Sequence, residues 1–142
     1  MRLLVFSVLF ACFGLACSSD SGSDNVLGPD SEQEGTGGTI ATFSSIQSTI
    51  FTPTCATSGC HASGGSFPTL EAGQAYENIV GVASSQEMAL IAAGDPDNSY
   101  LYRKITGASG IEGRRMPRAG DPLADEAIAA VRAWIEAGAL NN

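Results

Sequence analysis

The apolar residues with the clearest period lie in residues 121–140, where they recur about every 3.6 positions, the spacing of one helix face. They are Leu123, Ala127, Ile128, Val131, Trp134 and Ile135. Asp121 is placed to cap this helix, Pro122 suits its first position, and Gly138 is placed to end it. The pattern therefore predicts an amphipathic helix that buries one face.

A second helical signal is the stretch FSSIQSTIF, which places Ile46 and Ile50 on one face. Ser44 and Gln47 have the spacing of a capping box, in which a hydroxyl and an amide side chain each satisfy a backbone N–H group. Pro53 is expected to stop this helix, because proline cannot continue the helical hydrogen bonds. We therefore predict a short helix just before the sequence CATSGCH.

Two further short helices are predicted in the middle of the chain. The stretch LEAGQAYENIVG predicts one that ends at Gly81, and DNSYLYRKITG predicts another that ends at Gly107, with Leu101 and Ile105 on one face. Alternating strand patterns are not evident, so the predicted fold class is all-α, with short helices and long loops. Long loops in so small a domain suggest that a cofactor organises them.

The start of the chain has the pattern of an export signal. Arg2 precedes an apolar run over residues 3–16, which is too short to span a bilayer comfortably but typical of a signal-peptide core. The run ends in GLAC and is followed by SSDSGSD, which resembles a bacterial lipoprotein signal cleaved before Cys17, with lipid attached to the Cys17 sulfur. The alternative is a plain secretory signal, and both interpretations export the chain.

Composition then divides the chain into three regions. Residues 1–16 are the predicted signal peptide, and residues 17–42 are a predicted lipid anchor with a disordered tether. Beyond Cys17 this tether carries five acidic residues and no basic one, so little apolar burial would offset the entropy cost of ordering it. Residues 43–142 have the composition of one small domain. The acidic charge of the tether disfavours binding of nucleic acid or anionic lipid as the main role.

The chain has four cysteines, of which two are expected to remain in the folded domain. Cys12 is lost with the signal, and Cys17 is the expected anchor. Cys55 and Cys60 remain, and His61 follows them directly. Two thiols can attach to the two vinyl groups of haem while an adjacent imidazole binds the iron, although the usual spacer has two residues and this one has four.

Two methionines remain after processing as candidates for a second iron ligand. Met88 lies in the apolar stretch QEMALI and is expected in the core. Met116 lies in GRRMPRAG, a charged, Gly-containing loop, where core filling is the alternative to a ligand role. A thioether paired with histidine raises the reduction potential of haem iron and suits electron transfer.

Four motifs in order resemble the class I cytochromes c, in particular the single-haem modules of the planctomycete-type cytochrome c family. IFTPTCATSGCH resembles that family's helix, proline and cysteine motif. AGDPDNSYLYRKI resembles its Pro-Gly-x-Pro-x-x-Ser-x-Leu stretch, with Ala93 in place of the first proline. Arg115-Met116-Pro117 resembles its Arg-Met-Pro motif, and WIEAGA resembles the end of its last helix. The resemblance covers nearly the whole predicted domain.

The resemblance implies a small cytochrome c-like fold around one covalently bound haem c. It implies Cys55 and Cys60 as thioether sites, His61 as the proximal iron ligand and Met116 as the distal one. It also implies that Trp134 and the first helix pack together near the haem. The four-residue spacer departs from the family pattern and leaves open whether both thioethers form.

Other uses of the cysteine pair remain open. A Cys55–Cys60 disulfide would make the domain a degenerate cytochrome-like lipoprotein with a structural or interaction role. Zinc is disfavoured because His61 is the only histidine. Haem could also be held noncovalently or by one thioether. In a haem-based sensor, Met116 would leave the iron so that a small molecule could bind.

Five of the six basic residues of the predicted domain are clustered, and they are Arg103, Lys104, Arg114, Arg115 and Arg118. One interpretation is that they form a solvated face. The alternative is that they bind haem propionates or an acidic redox protein. Signatures of a catalytic site are not evident. The sequence thus predicts a one-electron carrier rather than an enzyme, anchored by lipid on the periplasmic side or the cell surface, with redox proteins as partners.

Overall fold

Short helical segments joined by long loops make up residues 41–142, the part of the chain that the computed structural model describes. They are α1 (Phe43–Ile46), a π-helical segment (Gln47–Cys55), α2 (Ala75–Ile79), α3 (Tyr100–Thr106) and α4 (Asp125–Glu136). These residues contain no strand, only two isolated bridges, in agreement with the predicted all-α class. The predicted signal peptide, Cys17 and residues 17–40 of the predicted tether lie outside the described residues.

The start of α1 differs from the predicted capping box. Thr42 is the capping residue, and its Oγ1 accepts a hydrogen bond from the Ser45 N–H at 3.1 Å. Ser44 lies inside the helix, so its predicted role as the cap is wrong. Gln47 instead donates from Nε2 to the Leu70 carbonyl at 2.9 Å, which ties this helix to the loop before α2.

The predicted stop at Pro53 is also wrong, because the chain stays helical through Pro53 to Cys55. The segment is π-helical, with the Ala56 N–H donating to the Phe51 carbonyl at 2.7 Å. In an α-helix the proline ring would clash with the carbonyl four residues earlier. The wider turn of a π-helix relieves that clash, so the helical segment reaches the first cysteine.

The predicted helix ends in the middle of the chain are partly confirmed. Helix α2 is shorter than predicted because Gly73 has a φ of 81°, a left-handed conformation that separates residues 70–73 from the helix. It ends two residues before Gly81. Helix α3 ends at Gly107 as predicted, and the Gly107 N–H donates to the Arg103 carbonyl at 3.0 Å.

Helix α4 begins later than predicted. Its first residue is Asp125, and Ala124 precedes it with a ψ of 150° and no side-chain cap, so Asp121 is not the cap and Pro122 is not the first helical residue. The non-helical chain before α4 instead lets Leu123 pack, half-buried, against the core. Just past the helix, Gly138 has a φ of 98°, in agreement with its predicted role at the end.

The core joins α1, α3 and α4. Trp134 is 1% exposed, its ring centroid lies 5.4 Å from that of Phe43, and its Nε1–H donates to the Leu140 carbonyl at 2.8 Å. The predicted packing of Trp134 against the first helix is therefore confirmed. The predicted apolar faces are buried as well, at Ile46, Ile50, Leu101, Ile105, Val131 and Ile135.

Candidate haem-binding site

A cavity of about 750 Å³ lies beside this core. Its walls come from the end of the π-helical segment, the loop before α2, helix α3 and the chain between α3 and α4. The volume falls within the range of about 300–1,000 Å³ that small-molecule sites have. All four predicted haem-site residues of the domain line this one cavity, and they are Cys55, Cys60, His61 and Met116.

The four-residue spacer folds into a closed turn that brings both cysteines to the cavity. The His61 N–H donates to the Cys55 carbonyl at 3.1 Å, and the Cys60 N–H donates to the Thr57 carbonyl at 2.9 Å. Gly59 has a φ of 79°, a conformation that favours glycine, and it lines the cavity too. The two extra residues therefore loop out without separating Cys60 from the site.

The two thiols have different surroundings. Cys55 is half-buried and packs against the core, whereas Cys60 is exposed, and both are free thiols. Burial, with a smaller contribution from Cys60, raises the pKa of the Cys55 thiol to about 11. Cys55 is therefore a neutral thiol at neutral pH, with little of the thiolate that nucleophilic or metal-binding cysteines use.

The His61 imidazole is oriented by a backbone carbonyl. Its Nδ1 lies 2.8 Å from the Pro68 carbonyl oxygen and 3.2 Å from that of Ser66. A carbonyl can only accept, so these contacts require the proton on Nδ1, and in the neutral imidazole the Nε2 lone pair is then available to a metal. The role of the Pro68 carbonyl could not be predicted, because a backbone acceptor has no signature in the sequence.

Met116 is held beside α3 by its own backbone. Its N–H donates to the Lys104 carbonyl at 2.8 Å, and the neighbouring Arg115 donates from Nε to the Ile105 carbonyl at 2.8 Å. Met116 is half-buried and lines the cavity. Met88 also packs against the core, as predicted, but it is not among the residues that line the cavity. The geometry thus favours Met116 over Met88 as a ligand.

Core side chains form the apolar wall of the cavity. They are Phe51, Leu70, Leu90, Leu101, Ile105 and Leu123. Phe67, which is 63% exposed, also lines it. Trp134, whose predicted place was in the core near the haem, does not line the cavity. The lining suits a large apolar ligand with at least one edge at the surface.

Three of the five clustered basic residues also line the cavity, namely Lys104, Arg114 and Arg118. Burial lowers the pKa of Lys104, with opposing effects from nearby charges. Arg103 and Arg115 do not line the cavity. An apolar wall combined with several cations fits a ligand that carries carboxylates on an apolar ring, which is the chemistry of haem.

Comparisons with known proteins give no independent identification. No family model matches this chain, and no match was found among curated proteins or solved structures. Within residues 41–142, no three His, Cys, Asp or Glu side chains come together as a metal site. No helix in this range combines the length and apolar character needed to cross a bilayer. Function is therefore inferred from the cavity and the residues that line it.

Proposed function

We propose that this chain is an exported, membrane-anchored monohaem c-type cytochrome with a cytochrome c-like fold, and that it carries one electron at a time. The observation that supports this most is that two thiols, one oriented imidazole and one thioether line a single, largely apolar cavity. The lipoprotein-like signal supports anchoring through Cys17, on the periplasmic side or the cell surface.

Cys55 and Cys60 are the proposed attachment sites. Each S–H group would add across one vinyl group of haem, with sulfur bonding to one carbon and the hydrogen passing to the other, so the attachment would need no oxidant. The neutral state of the Cys55 thiol is compatible with this addition, since the thiol supplies both atoms. The closed turn at residues 55–61 supports attachment at both sites despite the longer spacer.

His61 and Met116 are the proposed residues that would hold the haem iron. When bound, haem supplies an iron that cycles between the ferric and ferrous states. The Pro68 carbonyl holds the imidazole with Nε2 free, and the backbone contact with α3 holds Met116 at the cavity. Ligation by histidine and methionine favours a raised potential and electron transfer without ligand exchange. Catalysis is not part of this proposal.

Arg114 and Arg118 are the proposed partners of the haem carboxylates. Both line the cavity, and neither guanidinium donates to another group within residues 41–142. Arginine binds carboxylates through two parallel hydrogen bonds, which suits this role. The redox partners are proposed to be other proteins, which would approach the accessible side of the cavity.

The test is a pyridine haemochrome spectrum of the full chain, purified from a host that loads c-type haem. We expect a spectrum of haem that stays with the denatured polypeptide. Cys55→Ala and Cys60→Ala separate the two attachments, since each should shift the absorption maximum by leaving one vinyl group unsaturated. A processed chain that carries no covalent haem would contradict the proposal. If only one of the two cysteine variants shifts the absorption maximum, double attachment is contradicted.

A further inference from the structure

We infer that Lys104 is a positioning residue for Met116, and that it acts by holding the loop of residues 112–116 against α3. This inference rests on the proposed haem function, because it concerns how firmly the distal ligand is held. It assigns Lys104 a role different from that of Arg114 and Arg118, although all three line the cavity.

Lys104 contacts this loop three times. Its ammonium Nζ donates to the carbonyl oxygens of Glu112 at 2.8 Å and of Arg114 at 2.5 Å. Its own carbonyl accepts the Met116 N–H at 2.8 Å. One residue of α3 therefore satisfies backbone groups at both ends of the five-residue loop. Two of the three ammonium hydrogens are already used, which leaves Lys104 poorly suited as a propionate partner.

Glu112 extends this arrangement to a second loop. Its carboxylate accepts hydrogen bonds from the Ser85 hydroxyl at 3.2 Å and from the Gln86 side-chain amide at 3.0 Å. Its N–H donates to the Tyr100 hydroxyl at 3.0 Å. Ser85 and Tyr100 both line the cavity, so the contacts of Glu112 link the loop of residues 112–116 to two other parts of the cavity wall.

The loop needs such contacts because residues 112–116 have no helix or strand of their own. A thioether is a weak, uncharged ligand, and a small molecule competes for the iron whenever the loop moves away. The apparent affinity of that competitor rises in proportion to the fraction of molecules with the loop open. Holding the loop therefore determines how well the site excludes other ligands.

Lys104→Leu tests this inference, with Arg103→Leu as the matched control. Both variants remove one positive charge from α3, and the Arg103 guanidinium donates to no group within residues 41–142. Leucine is chosen because a methionine at position 104 could itself bind iron. Haem content is first measured in all three proteins by the pyridine haemochrome spectrum, which tests the proposed function separately from the role of Lys104.

We expect Lys104→Leu to weaken the methionine–iron charge-transfer band of the oxidised protein and to bind added imidazole about tenfold more tightly. We also expect the Met116 amide to exchange hydrogen at least about tenfold faster, because Lys104→Leu removes two charge-assisted hydrogen bonds. Arg103→Leu should match the wild type in each measurement. Amide exchange in α4 should not change, since the effect is expected to be local.

Equal imidazole affinity and equal Met116 exchange in Lys104→Leu and the wild type would overturn the inference. Faster exchange throughout the domain, α4 included, would also overturn it, because Lys104 would then be a general stability residue. A wild-type chain without haem contradicts the proposed function instead. In that case Met116 exchange still decides whether Lys104 holds the loop.

Discussion

The buried thiol of Cys55 should make the stability of the haem-free domain depend on alkaline pH. Its pKa rises from 9.0 to about 11 on folding, so the folded state resists ionisation and the unfolded state does not. The stabilising effect is complete below pH 9 and is lost as the pH rises towards 11. At about 1.36 kcal/mol for each pKa unit, the loss is about 2.7 kcal/mol. This is between about a fifth and a half of the roughly 5–15 kcal/mol by which folded domains are typically stable.

The assay is urea unfolding of the haem-free chain in reductant between pH 8 and pH 11, compared with Cys55→Ser and Cys60→Ser. Other groups titrate in this range, but all three proteins share them apart from the substituted cysteine, and Cys60→Ser controls for the loss of one thiol. The wild type and Cys60→Ser, which keeps the buried thiol, should lose about 2–3 kcal/mol more than Cys55→Ser. Equal losses in all three would refute the buried position of Cys55. The difference should also vanish in the haem-loaded protein, because a thioether does not titrate.

The remaining predictions use matched pairs of variants. Met116→Leu should abolish the methionine–iron charge-transfer band, whereas Met88→Leu should keep it, and the reverse result would assign Met88 as the ligand. In urea unfolding of the haem-free chain, each should cost less than about 1.5 kcal/mol. Gly59→Ala and Gly64→Ala should each cost about 1 kcal/mol, since both glycines have φ near 80° and open space around them. The pyridine haemochrome maximum should shift towards that of a singly attached haem for Gly59→Ala alone, and an equal maximum in the two variants would show that the conformation of the spacer is unimportant.

Those parts of the fold that depend on local pattern could be predicted from the sequence. The apolar face of α4 and the helix end at Gly107 follow from periodicity and from the preference of glycine for positive φ. The π-helical segment could not be predicted, because Pro53 is a reliable stop only for an α-helix. The start of α4 was predicted too early, since packing of Leu123 against the core outweighs the local capping signal of Asp121.

The candidate site shows a similar division. The sequence predicts the site residues that have distinctive side chains, which are Cys55, Cys60, His61 and Met116. In the structure all four line one cavity. The backbone groups that orient them were missed. The Pro68 carbonyl faces the imidazole only after residues 61–70 have folded back. Lys104 appeared only as one member of a basic cluster, because its contacts with the loop of residues 112–116 depend on tertiary structure.

Intact mass spectrometry of the denatured, full-length expressed chain tests the central claim most directly, since it separates covalent haem from a disulfide in one spectrum. We expect the mass of the processed polypeptide with its lipid plus one haem. The added haem should remain after denaturation and be absent from the double variant Cys55→Ala/Cys60→Ala. A wild-type chain with no added haem would contradict the claim. A mass lower by two hydrogens would identify a Cys55–Cys60 disulfide instead.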